Sequence, residues 1–324
     1  MIIAAYLQES NVLNFRQSDK ERLTHVNFAF ALVKDGRGSV DHWINKEGVR
    51  KFIKEKGHLK VILSVGGWGA GGFSPAVSTA EGRELLAQTL VDINNDYGFD
   101  GIDMDWEYPC DDIADIEASS DDKVNYTLFM ELLRQKLGND KILSMAAGGM
   151  QRCVDNLELD KLMKVMNFIN LMTYDMCPWD KVGYHTSLFS TEECPNSGDA
   201  VARMYETAGV KRSQLVLGAA FYARIYPNVD GLGCEVNGAP LFGEGGYTKL
   251  QTRIGMDESG YEYDEKAEAP YIYDTHTREF ITFDNPRSLM EKMKYVKSTG
   301  LGGIMYWEYS HDDDKSTLLK AMTE

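Results

Sequence analysis

The sequence is short of the residues that build disulfide scaffolds, metal sites and membrane spans. Its five cysteines, Cys110, Cys153, Cys177, Cys194 and Cys234, are odd in number, scattered through 324 residues and lack CxxC spacing. This excludes a full disulfide framework and argues against a zinc site. Free thiols favour a reducing compartment. The six histidines, His25, His42, His58, His185, His276 and His311, show no metal-ligand spacing with a neighbouring His or Cys. No metal and no cofactor are expected. Basic residues are also few: 34 Lys and Arg against 50 Asp and Glu leave a formal charge of −16. That balance argues against nucleic acid and anionic membranes as partners, and is compatible with a neutral polymer. No run approaches the roughly 20 apolar residues of a membrane span. The first eight residues have no basic segment, apolar core and cleavage site in succession. As written, such a chain is cytoplasmic, or secreted if an export signal was removed. It is expected to act as a monomer.

What is present is a chain 43% hydrophobic, ample for a large core. It also carries one unusual segment, Asp100-Gly101-Ile102-Asp103-Met104-Asp105-Trp106-Glu107-Tyr108-Pro109. Asp103, Asp105 and Glu107 fall on every second residue. In a strand they share one face. Like charges stacked in this way destabilise a strand, a cost accepted mainly where the charges do chemistry. Crowded carboxylates cannot all ionise, so at least one keeps its proton near neutral pH and is a ready general acid. The plainer reading is a solvated acidic loop. Interleaving with Ile102, Met104 and Trp106 fits an ordered strand better.

Short apolar runs at 2–6, 25–31, 60–65, 101–105, 142–147, 168–174, 215–221 and 303–307 alternate with helical patterns such as 81–97, 123–137, 198–208 and 288–299. Near-continuous apolar strands alternating with helices imply a parallel sheet buried on both faces. Eight such units predict an α/β fold, a (β/α)8 barrel, with functional residues at the C-terminal ends of the strands. The rhythm breaks between 226 and 283, where Gly-rich turns (243–246) and aromatic strand-like pieces (261–263, 270–273, 279–283) replace a helix. This is too long for a βα loop. It predicts a small α+β insertion between strand seven and its helix. The expected division is a barrel of 1–225 and 284–324 and an insertion of 226–283.

The pattern Asp100-x-x-Asp103-x-Asp105-x-Glu107 resembles the signature of glycoside hydrolase family 18, the chitinase family. Other matches fall in the same order. Ser64-Val65-Gly66-Gly67-Trp68 is similar to its SxGG motif, and Met172-Thr173-Tyr174-Asp175 to its MxYD motif. Phe221-Tyr222-Ala223-Arg224 resembles its FYGR segment, with Ala223 in place of Gly. Gly302-Gly303-Ile304-Met305-Tyr306-Trp307 resembles its Gly-Gly…Trp at strand eight. The insertion is placed like that of the deep-cleft chitinases.

The resemblance implies hydrolysis of β-1,4-linked N-acetylglucosamine, with the substrate's own acetamide as nucleophile, an exception to the usual two-carboxylate scheme. Glu107 would be acid and then base. Asp105 would orient the acetamide, Asp103 would lie deeper and tune Asp105, and Tyr174 would bond the acetamide oxygen. Trp307 would lie under the reacting sugar, where an aromatic face suits sugar C–H groups. Asp175 would contact that sugar and Met172 would line the floor. Tyr222 and Arg224 would bond sugar hydroxyls, Arg224 equally pairing with a cleft acid. Trp68 and Trp179 are candidate platforms on loops. Tyr6 points into the same mouth, as core or contact. Ser64 is expected to hold Asp103 or the strand base, and Asp100 to be structural. His185 is the histidine nearest the subsites.

Two alternatives share the barrel. An endo-β-N-acetylglucosaminidase cutting N-glycan cores would keep the same acids, but the insertion and Trp-lined cleft favour a linear chain. A non-catalytic carbohydrate-binding protein usually lacks the acid glutamate, which is present here as Glu107. The stretch Leu7-Gln8-Glu9-Ser10 departs from the aromatic run common after strand one, so the non-reducing side of the cleft is expected to differ.

Overall fold

The computed structural model describes residues 1–176, 180–236, 238, 240–242, 246–254 and 260–324. Trp179 and Cys177 lie outside the described residues, as does most of the 243–246 turn. Eight parallel strands form the centre: β1 (Ile2–Gln8), β2 (His25–Lys34), β3 (Lys60–Gly66), β4 (Gly101–Asp105), β5 (Ile142–Gly148), β6 (Phe168–Met172), β7 (Leu215–Ala220) and β8 (Gly303–Trp307). Each pairs with the next in sequence, and β8 returns to β1, so the sheet closes. This is the (β/α)8 barrel expected from the alternation.

The helices stand outside, where their apolar stripes meet the outward faces of the strands. Their ends follow local chemistry. Thr79 caps Ala80–Tyr97 by accepting from the Gly82 amide, and Gly98, at φ 84°, ends it. Asn285 and Ser288 form a capping box ahead of Pro286–Thr299, with Pro at its start. The first unit differs from the expectation of eight alike. After β1 come two 3-10 turns, Glu9–Asn14 and Gln17–Arg22, in place of an α-helix. β2 also runs further than read, because Asp35 and Gly36, both at positive φ, fold it back onto Arg37–Ser39. β6 stops at Met172, sooner than expected. The Thr173 amide turns back to the Leu171 carbonyl at 2.8 Å, and Asp175 adopts φ 55°.

Between β7 and the helix Pro286–Thr299 lies a second, antiparallel sheet of five strands: Arg224–Tyr226, Leu241–Phe242, Glu262–Asp264, Ala269–Asp274 and Glu279–Thr282. The helix Gly246–Ile254 belongs to the same stretch. The sheet starts at Arg224, two residues before the boundary read from sequence. Its apolar cluster is shared: Tyr226, Ala269 and Phe280 pack with Val182, Tyr184 and Cys194 from the loop after β6. A sheet this small needs cover for its inner face, and that loop provides it.

One ion pair is sealed behind this junction. Lys292 Nζ lies 2.6 Å from Asp284 Oδ2, with both side chains 1% exposed. Asp284 also accepts from Thr186, Ser288 and the Ala220 amide. Removing one partner of such a pair leaves an uncompensated buried charge. Lys292→Met is therefore expected to cost about 3–5 kcal/mol in urea unfolding. The double variant Lys292→Met/Asp284→Asn should recover part of that loss. Additive losses would show that the two residues do not depend on each other.

Candidate active site

The site is built upward along β4. Asp103 is fully buried, and donors from four strands converge on it. Tyr6 on β1 and Ser64 on β3 donate to Oδ2 at 2.8 and 2.9 Å, and Ser144 on β5 and Asn170 on β6 donate to Oδ1 at 2.6 and 3.1 Å. Parallel register makes this possible: Asp103 sits level with Ser64 on one side and Ser144 on the other. Burial raises the Asp103 pKa, and these hydrogen bonds pull against it. Sequence reading left Tyr6 open between core and sugar contact. In the structure the residue is 1% exposed and its hydroxyl donates to Asp103, as a core residue would. Ser144 and Asn170 were missed. Both are polar residues inside otherwise apolar strand runs, which was the available signal.

Asp105 is the next acid up. Burial, then the charge of Glu107, then that of Asp103 hold its carboxyl well above the usual range. Its Oδ1 is buried and has no hydrogen-bond partner among the described residues. Glu107, 8% exposed, follows at the strand mouth. Burial pushes its pKa up to about 7, against a hydrogen bond from Tyr108 and with the charge of Asp175 adding to the rise. Along the series, Asp103 is hydrogen-bonded at both oxygens, Asp105 leaves Oδ1 unpaired among the described residues, and the pKa values of Asp105 and Glu107 are both raised.

Gly66 and Gly67 let β3 approach this strand. The Gly67 amide donates to the Asp105 carbonyl at 2.8 Å. Gly66, at φ 117°, lies so close that a Cβ there would meet the Asp105 carbonyl oxygen at 2.1 Å.

The opposite wall comes from the ends of β6 and β7. Asp175 accepts from Arg224 Nε at 2.6 Å and Tyr222 Oη at 2.9 Å, with His185 Nδ1 at 3.4 Å. Burial pushes its pKa up, but hydrogen bonds from His185 and Arg224 outweigh this and hold the carboxyl below its usual range. Of the two roles read for Arg224, the structure shows the pairing with a cleft acid. Tyr174, partly buried, packs 6.0 Å from Tyr222, ring to ring. Burial and the nearby charges of Asp105 and Glu107 keep its phenol protonated, far above its usual range. Met172, 8% exposed, lies in the inner barrel cluster.

Trp307 ends β8 and is partly exposed; Phe30 stacks on it at 5.5 Å and 15°. Trp68 is 60% exposed on the loop after β3, edge-on to Tyr108 at 6.5 Å. Asp100 lies outside this constellation, where its carboxylate accepts from the Val61 amide and Lys56. Among the described residues, no group of three His, Cys, Asp or Glu side chains could hold a metal ion. No helix among them is long and apolar enough to cross a membrane.

Fold and site together define a (β/α)8 barrel with an acid-lined mouth, where one carboxyl has its pKa raised and another has it lowered. The chain belongs to the glycosyl hydrolases family 18, whose model matches residues 2–312. It is 32% identical to Chitinase A1 of Niallia circulans over 84% of this chain and 43% of that protein. It is also 32% identical to Chitinase 1 of Aphanocladium album, over 79% and 63%. The chain thus spans less than two thirds of either relative. The solved structure of a family 18 N-acetylglucosaminidase from Paenibacillus barengoltzii is 36% identical, with a TM-score of 0.93, covering 99% of this chain and 98% of that one.

The close approach of β3 to β4 has a direct test. Gly66→Ala is expected to cost about 2–6 kcal/mol, the sum of a left-handed backbone penalty of about 1–3 and an overpacking penalty of about 1–3. Thermal unfolding measures it. A Tm within a degree of the wild type would mean that β3 and β4 can separate without loss.

Proposed function

We propose that this chain is a retaining glycosidase that hydrolyses β-1,4 bonds between N-acetylglucosamine units, in polymers or oligomers of the chitin type. The observation that carries the reading is the buried, unpartnered Oδ1 of Asp105. Buried carboxyl oxygens are nearly always hydrogen-bonded in folded proteins. A substrate that brings its own N–H supplies the missing donor. The acetamide of N-acetylglucosamine does so, on the carbon next to the reacting one. The names of the relatives support the same substrate class.

The steps follow from the residues present. Glu107 gives its proton to the glycosidic oxygen as the bond to the anomeric carbon breaks. The acetamide oxygen closes on that carbon, giving a cyclic oxazolinium. Tethering makes this closure fast, because the nucleophile is already beside its target. Asp105 takes the hydrogen bond of the acetamide N–H and offsets the positive charge that grows on it. Tyr174, a donor kept protonated, bonds the acetamide oxygen and turns it toward the anomeric carbon. Trp307 supports the apolar face of the sugar. Glu107, now a base, takes a proton from the entering water. Water attacks the face that the leaving group vacated, and the configuration is retained.

A second reading is favoured by one observation, the similarity to the Paenibacillus N-acetylglucosaminidase. In that reading the same chemistry releases single sugars.

Mass spectrometry of products from N-acetylchitohexaose, with a high-mannose glycopeptide alongside, tests the substrate class. Cleavage of the hexaose is expected, and cleavage of the glycopeptide alone would move the function to N-glycan cores. Glu107→Gln should lower kcat by about 10²–10⁴-fold while sugar binding persists. Substantial activity in that variant would remove Glu107 from the acid role. The wild-type pH profile is a separate check. The acid must be protonated, so kcat/KM should fall about tenfold per pH unit above the Glu107 pKa near 7. A rate level from pH 6 to 9 would contradict it.

A further inference from the structure

The mouth of the barrel holds a polar cluster that the proposed reaction does not use. Glu308 directly follows Trp307 and is 2% exposed. Its Oε1 accepts from the Ser310 hydroxyl and lies 3.7 Å from His311 Nε2. The Gln8 side chain lies close enough to its carboxyl to lower its pKa, against the rise from burial. Asn11 Nδ2 donates to Ser310 Oγ at 3.1 Å, which ties the chain after β1 to the turn after β8. Two buried atoms of this cluster, Glu308 Oε2 and His311 Nδ1, have no hydrogen-bond partner among the described residues. Native proteins rarely leave a carboxylate oxygen in that condition.

Two contacts place the cluster beside the sugar site. Gln8 is in phase with Ala4 and Tyr6 along β1, and both of those belong to the inner barrel cluster. Gln8 therefore rises above Tyr6 at the mouth and brings Glu308 with it. On the other side, the His311 ring lies 6.2 Å from that of Tyr222, edge-on. Tyr222 in turn holds Asp175. The cluster thus reaches Tyr222 through His311 and the end of β1 through Gln8.

We propose that Glu308, with Gln8 and His311, forms an end wall that accepts the free O4 hydroxyl of a non-reducing terminal N-acetylglucosamine, and so selects chain ends over chain interiors. This rests on the function proposed above. A terminal unit has an O4–H to donate to Glu308 Oε2. In an internal unit that oxygen is glycosylated and has no hydrogen, so the carboxylate stays unpaired and the next sugar meets the wall. Sites built to hydrogen-bond a substrate hydroxyl can reject the analogue lacking it by about 10⁴–10⁵-fold.

The test uses N-acetylchitopentaose labelled at its reducing end, and the same oligosaccharide carrying a 4-O-methyl cap on its non-reducing sugar. Both are given to the wild type and to Glu308→Gln, and products are followed by mass spectrometry. The wild type should shorten the labelled chain one sugar at a time, and the cap should lower kcat/KM at least 100-fold. Glu308→Gln should raise KM for the uncapped chain more than it lowers kcat, and should bring the capped and uncapped rates within about tenfold. Equal cleavage of both substrates by the wild type, or interior cuts giving disaccharides and trisaccharides, would overturn the end wall while leaving the hydrolase intact. So would a folded Glu308→Gln that keeps the full discrimination. Cleavage of neither substrate by the wild type would overturn the hydrolase reading itself, and the end wall with it.

Discussion

Placing two carboxylates on one face of one buried strand, and a third just past its end, is the constraint around which this barrel is arranged. A buried acid without partners costs several kcal/mol, so the interior must supply donors. It does so for Asp103 through Tyr6, Ser64, Ser144 and Asn170, one from each of four strands. That layer forces polar residues into strands that are otherwise apolar. It also fixes the level at which the strands stand relative to one another. The glycines at the end of β3 follow from the same demand, since only a chain without Cβ can lie against the Asp105 carbonyl there. The donors run out higher on the strand, where Asp105 Oδ1 has no partner among the described residues.

The two walls of the cleft drive their acids in opposite directions. Just past the end of β4, burial dominates and raises the Glu107 pKa to about 7. Across the mouth, Asp175 meets Arg224 and His185 and stays ionised. Two carboxyl groups separated in this way can serve one reaction in different protonation states at one pH. Arg224 is also the first residue of the antiparallel sheet, so the inserted unit contributes directly to the electrostatics of the barrel mouth. Its apolar contacts with the loop after β6, and the sealed Asp284–Lys292 pair behind them, hold that wall in place.

Much of this was legible in the residue order. Period-2 acids announced β4, apolar runs announced the other strands, and the break from Tyr226 onward announced the inserted sheet. These are local signals, carried by the alternation of side chains and by glycine positions. The hairpin at Asp35-Gly36 was equally local and could have been read from its turn. Boundaries were less legible, because β6 ends where Thr173 and Asp175 turn to meet β7 and the loop beyond it.

The sequence by itself therefore determined the strands, their order, the barrel that eight βα units imply, and the acids at the end of the fourth. Only the tertiary structure decided the partners. Tyr6 is 97 residues from Asp103, and Asn170 is 67. Gln8 and Glu308 lie at opposite ends of the chain, yet meet because β8 closes onto β1. A hydrogen bond or a desolvated carboxyl depends on which groups are brought within about 3 Å of each other. Closure of the sheet sets those distances, and the period of a pattern does not record them.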